Sequence, residues 1–174
     1  MRSRYKLITG SLVLLSLLLV SCMTKEPPPP ATLEMSILSS IHVNPNTLGK
    51  PSPIVIRYYE LKSTAVFEST DFFDLTDPDK NILINDLLGR DELEIHPGTE
   101  QTVHRELDNA TQFIGIVAAY RDLEQSRWRA VLPITAHADN AFIIRLGETA
   151  ITVSNPAEEK KSKTDGDNQS KFDF

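Results

Sequence analysis

One cysteine, four histidines and one acidic run are the groups in this 174-residue chain whose type and spacing could do chemistry. Cys22 is the only thiol, so no disulfide framework exists and the fold must rest on its own core in any redox compartment. It closes an apolar stretch, LLVSC, where there is no core to bury a thiol. Covalent modification of that sulfur is the chemistry its position offers. His42, His96, His104 and His137 are too scattered for any two to stand within two or four residues, so no local pair of metal ligands forms. They read as solvent-facing strand and turn residues. The run Asp77 to Asn81 opens like a calcium loop, but the sixth position is Ile82 where glycine is required and the twelfth is Leu88 where a bidentate glutamate is required. There is no G-x-S-x-G and no phosphate-cradling loop, and seven glycines leave little material for one. The chain reads as a non-enzyme with no metal site and no cofactor.

The leader explains the cysteine. Arg2, Arg4 and Lys6 precede an apolar run of 14 residues, Leu7 to Val20, and small residues follow. A membrane-spanning helix needs about 20 residues, so residues 1–21 read as an export signal. Leu19-Val20-Ser21-Cys22 resembles the lipobox of bacterial lipoproteins, whose cysteine is lipidated and becomes the first residue of the mature chain. In such lipoproteins the sulfur and new terminus carry three acyl chains. At about 0.8 kcal/mol per buried methylene, two chains already hold stably. Met23 follows the cysteine in place of the aspartate that retains enterobacterial lipoproteins in the inner membrane, which implies the outer membrane.

Residues 22–31 continue as a lipidated cysteine and a proline-rich tether. Four consecutive prolines favour an extended polyproline II shape, roughly 28 Å over nine residues. Residues 1–21 hold three of the 18 basic residues and none of the 24 acidic ones, so removing them moves the net charge from −6 to about −9. That charge argues against nucleic acid and against an electrostatic grip on anionic lipid. From Ser154 to Phe174 the chain is charged and polar with almost no apolar residues, the composition of a disordered tail. Residues 32–153 remain as one domain, large enough for a real core.

Period-two patterning fills that domain. Leu33, Met35, Ile37, Ile41 and Val43 share one face of a predicted first strand, with Leu38 the exception opposite them. PIVIRYYEL (53–61) is β-branched and aromatic, and QFIGIVAAY (112–120) is apolar throughout, as befits a central strand covered on both sides. In RWRAVLPI, Trp128, Ala130, Leu132 and Ile134 share a face; AFIIRLGE and AITVS supply two more strands. His96-Pro97-Gly98 makes a turn between ELEIH and TEQTVHREL. One region departs: Ser69 to Asp71 are capping residues before Phe72, Phe73 and Leu75, predicting a short helix broken near Pro78, its aromatics packed on the sheets. Arg121, Asp122, Trp128 and Arg129 are expected at a hairpin end with opposite charges paired across strands. Short, regularly spaced strands with one helical insertion predict an all-β sandwich.

These segments resemble the TssJ family, the outer-membrane lipoproteins of type VI secretion systems. The likeness rests on Asn44, Ser52-Pro53, Arg57, Tyr59 and Leu61, on Asp71-Phe72-Phe73 with Leu75, on Pro97-Gly98, and on Gly115 through Leu123 closing with Trp128-Arg129. It covers the whole domain and stops before the charged tail. It implies a transthyretin-like two-sheet sandwich with a short helical insertion, held on the periplasmic face of the outer membrane by acyl chains on Cys22. It also implies a partner, the periplasmic C-terminal region of the inner-membrane component TssM, and no small-molecule substrate. In the family the loop joining the first two strands contributes to that contact, which places partner binding here on Asn46, Thr47, Leu48, Gly49 and Lys50. Two prolines and a glycine restrict the loop NPNTLGKPS, limiting the entropy lost on binding. The same residues could instead form an ordinary hairpin connection. Two other readings of the whole chain stand beside this one: a pilot lipoprotein of another secretion machine, and a periplasmic hydrolase on a transthyretin-like scaffold.

Overall fold

The computed structural model describes residues 28–156. Eight strands form two four-stranded sheets. One has the order β4-β1-β7-β8 and the other β3-β2-β5-β6. In chain order they are β1 (Thr32–Ser39), β2 (Ile54–Leu61), β3 (Leu87–Ile95), β4 (Glu100–Glu106), β5 (Phe113–Ala118), β6 (Arg129–Pro133), β7 (Asp139–Leu146) and β8 (Ile151–Ser154). Every pairing is antiparallel except β1 with β7. Two five-residue helices, α1 (Ala65–Ser69) and α2 (Phe72–Thr76), interrupt the path from β2 to β3. The predicted sandwich with a helical insertion is what forms.

Alternation along β1 drives Leu33, Met35 and Ile37 into the space between the sheets, where they meet Ile54, Ile56 and Tyr58 of β2, Ile114, Ile116 and Ala118 of β5, and Ile144 and Leu146 of β7. The opposite faces of β2 and β5 are apolar too. Tyr59 and Leu61 of β2 and Val117 of β5 form a second core with Phe67, Leu75 and Leu83 under the helical insert. The molecule therefore has three layers: sheet, sheet and insert. The middle sheet's central strands are buried on both faces, which is why QFIGIVAAY carries no polar alternation. Phe67 is fully buried and lies against Gly115, where an added Cβ would come within 2.6 Å of its ring.

Some expectations change. The first strand ends at Ser39, and a turn closed by Val43 N–H donating to the Ser40 carbonyl (3.2 Å) breaks the alternation. Ile41 is thereby turned out to solvent, 66% exposed, while Val43 returns to the core. Neither the loop after β1 nor the turn at Pro97-Gly98 closes a hairpin, because β1 and β2, like β3 and β4, belong to different sheets. Of the two aromatics in α2, Phe72 packs under the insert, but Phe73 is 71% exposed, since adjacent helical positions point about 100° apart. Helix α1 carries no signal of its own in AVFES and went unpredicted. The expected cross-strand charge pairing at Arg121, Asp122 and Arg129 is absent among the described residues; Arg129 instead donates from Nη1 to the carbonyls of Phe67 and, at 2.9 Å, of Thr70. Its guanidinium stacks 4.5 Å from the Trp128 ring, and Trp128 meets Phe72 edge-on at 5.3 Å. Desolvation lowers the Arg129 pKa below the usual arginine value. Arginine at this position ties the insert to the edge of the second sheet.

Candidate functional site

Cys22, its signal and most of the tether lie outside the described residues, as does the charged tail from residue 157 on. The tether's last residues are visible. The Pro29 carbonyl lies 2.8 Å from His137 Nδ1, Ala31 is buried in the core, and its carbonyl accepts from Leu107 N–H at 2.9 Å. The chain thus enters the sandwich where β1 begins, beside the β6–β7 connection. Eight residues later, at about 3.3 Å each, β1 delivers the chain to the far end. There the loop Asn44 to Ser52 stands beside the β5–β6 connection and the β7–β8 turn, while the β3–β4 turn bonds to Ser39 and Ser40 just before it.

The loop is built from asparagines. Asn46 Oδ1 accepts from the Leu48 N–H (2.9 Å) and the Lys50 N–H (3.0 Å). Asn46 N–H donates to the Lys50 carbonyl, and Gly49 N–H to the Asn46 carbonyl, at 2.9 and 2.8 Å. Gly49 sits at φ +74°, a conformation glycine adopts freely. This network holds Leu48 at the tip with 89% of its surface in water, and Lys50 exposed two residues on. At the loop's root Asn44 is 4% exposed and adopts φ +50°, tolerable for asparagine. Its Nδ2 donates to the Pro53 carbonyl at 2.8 Å, and its Oδ1 accepts from Arg121 N–H at 2.8 Å. Its own N–H donates to the Glu148 carbonyl at 3.1 Å.

The structure therefore brings Asn46, Thr47, Leu48, Gly49 and Lys50 together in one fixed protrusion, and adds neighbours that the sequence reading left aside. A cleft of about 620 Å³ opens between Asn44–Thr47, the segment Tyr120–Asp122 with Ser126, and Glu148–Thr149. Tyr120 forms part of its lining; its hydroxyl donates to the Gly147 carbonyl (3.2 Å), and burial raises its pKa above the usual tyrosine value. Arg121 and Asp122 were visible in the sequence as a charged pair ending an apolar strand. Nothing in that pattern said that they would face Asn44, which is 77 residues away. No group of three or more His, Cys, Asp or Glu that could hold a metal ion occurs among the described residues.

Residues 31–149 match the family of type VI secretion lipoproteins described as T6SS-SciN, with VasD, EvfM and TssJ. The chain is 36% identical to the T6SS lipoprotein TssJ1 from Pseudomonas aeruginosa, covering 73% of this chain and 97% of that one with a TM-score of 0.71. It is 26% identical to Serratia marcescens Lip, a membrane-bound component of the type VI secretion system, covering 72% and 97% with a TM-score of 0.66. A chain in a structure of the T6SS protein TssM C-terminal domain from EAEC matches at 25% identity, covering 71% and 97% with a TM-score of 0.59. No curated protein matches the sequence.

Proposed function

The chain belongs to the TssJ family of type VI secretion lipoproteins, and from that premise we propose that it is an assembly lipoprotein, anchored in the outer membrane, that binds the periplasmic C-terminal region of the inner-membrane component TssM. The family is one of structural, membrane-bound components of the secretion system. The observation that carries the finer reading is the placement of two features at opposite ends of one rigid body. The tether enters at the start of β1, and the loop with Leu48 at its tip protrudes from the other end. Acyl chains on Cys22 would fix the first end at the membrane, and the loop would then face away from it, toward the partner. The hydrogen bonds inside the loop reduce the entropy that docking costs. One similar chain comes from a structure of the TssM C-terminal domain and another from a type VI membrane complex, and these settings support the choice of partner.

The test uses the full chain in detergent and the purified periplasmic C-terminal domain of TssM. Replacing Leu48 and Lys50 together with alanine and serine should weaken binding by about tenfold or more, the effect of losing roughly 1.4 kcal/mol at a docking tip. Both side chains are exposed, so the melting temperature should hold. Unchanged affinity in a folded double variant removes the loop from the interface.

A further inference from the structure

The residue that stands out beyond the loop tip is Asn44. Its side chain is nearly inaccessible, yet it spends both ends of its carboxamide on the main chains of two separate loops, while its N–H holds a third. It does so in a left-handed backbone conformation, which asparagine adopts more readily than most non-glycine residues. We infer that Asn44 is a positioning residue that joins the β1–β2, β5–β6 and β7–β8 connections into one docking surface, and that the cleft between them, walled by Arg121, Asp122 and Glu148, receives a protruding element of the protein partner beside Leu48. The inference rests on the reading that the loop docks onto TssM. Several observations favour a protein over a small ligand. The cleft is open, its walls carry the exposed charges of Arg121, Asp122 and Glu148, and its lining runs along the loop as far as Thr47, the residue before the exposed Leu48. Small-molecule sites are instead enclosed and mostly apolar. The cleft also lies at the end of the sandwich remote from the tether.

The loop tip and the cleft are then not independent. Freeing the root of the loop should weaken binding even though every exposed side chain of the cleft and tip is unchanged, because the partner must then order the loops as it docks. Asn44→Gly tests that effect, since glycine accepts φ +50° and removes the side chain that makes the two carboxamide bonds. With the full chain in detergent and the TssM C-terminal domain as probe, Asn44→Gly should bind about tenfold more weakly at a temperature where the variant is fully folded. Leu48→Ala should cost less in the Asn44→Gly background than in the wild type, a coupling that mere loss of stability would not produce. Arg121→Glu changes only an exposed side chain, the Arg121 N–H to Asn44 being main chain, and should weaken binding about fivefold or more. It decides the matter if the glycine variant fails to fold. Wild-type affinity in folded Asn44→Gly, additive effects with Leu48→Ala, or wild-type affinity in Arg121→Glu would overturn the three-loop surface while leaving the loop reading intact. A wild-type chain that does not bind the TssM domain at all would remove the loop reading itself.

Discussion

At the scale of single residues, two positions show how tightly the layers are fitted. Gly115 lies on the middle sheet under the Phe67 ring, with hypothetical Cβ contacts of 2.6, 2.7 and 2.9 Å. Gly115→Ala must therefore push the ring and helix α1 away. Overpacking of this kind costs about 1–3 kcal/mol, seen as a lower urea midpoint, with Phe67→Ala costing about 3–5 kcal/mol by the opposite route of an empty cavity. Tyr120 makes a pH prediction. Burial holds its phenol above the ordinary value of 10.0, so the folded state keeps a proton that the unfolded chain releases. The stability tied to it is fully present below pH 10 and is lost as pH climbs from there toward the raised folded value. Tyr58 and Tyr59 are shifted the same way by desolvation. Unfolding titrations between pH 9 and 11 should show stability falling above about pH 10, and Tyr120→Phe should make that fall shallower.

At the scale of elements, the helical insert depends on one side chain from a strand. Helix α2 caps itself, because Asp71 Oδ1 accepts from the Asp74 N–H at 2.9 Å, but five-residue helices are far too short to persist alone. Arg129 supplies the external bonds, donating to carbonyls at the end of α1 while stacking on Trp128. Arg129→Met keeps much of the apolar stem and removes the donors. The main-chain carbonyls of Phe67 and Thr70 then lose a charged partner, an effect of about 1.5–3 kcal/mol. Because the insert is a separate layer, the loss should be local. Hydrogen exchange should accelerate across residues 64–77, while amides of β1, β2 and β5 keep their protection.

At the scale of the whole molecule, the proposed docking and anchoring would fall at two opposite ends of the sandwich. The sandwich supplies stiffness, so a tether at one end and a loop network at the other stay in fixed relation. In the proposed reading Cys22→Ala should abolish acyl-chain labelling and release the protein from membranes into the soluble fraction. Its affinity for the TssM domain in solution should stay unchanged, because the described chain enters at the start of β1, the end opposite the loops. A released variant that had also lost its affinity would show that the two ends are not independent.

Much of this was legible along the chain, because local chemistry carries it. The basic start, apolar run and lone cysteine are local signals from which an export signal with a modifiable sulfur is expected, and they lie outside the described residues. The strands follow from side chains alternating across a pleat, and α2 from the Asp71 cap. The protruding loop was legible through its prolines and glycine and through the family likeness. Other features depend on which segments meet, and no local pattern encodes that. Helix α1 exists because Phe67 is buried against Gly115 and Arg129 binds the carbonyls at its end, contacts spanning 48 and 62 residues. Ile41 faces water because a turn breaks the strand period, a choice set by closure onto the next sheet. The union of three loops at Asn44 is likewise a tertiary decision, since a buried carboxamide must satisfy its donors and acceptor wherever the fold brings main chain to it, here at Pro53 and Arg121.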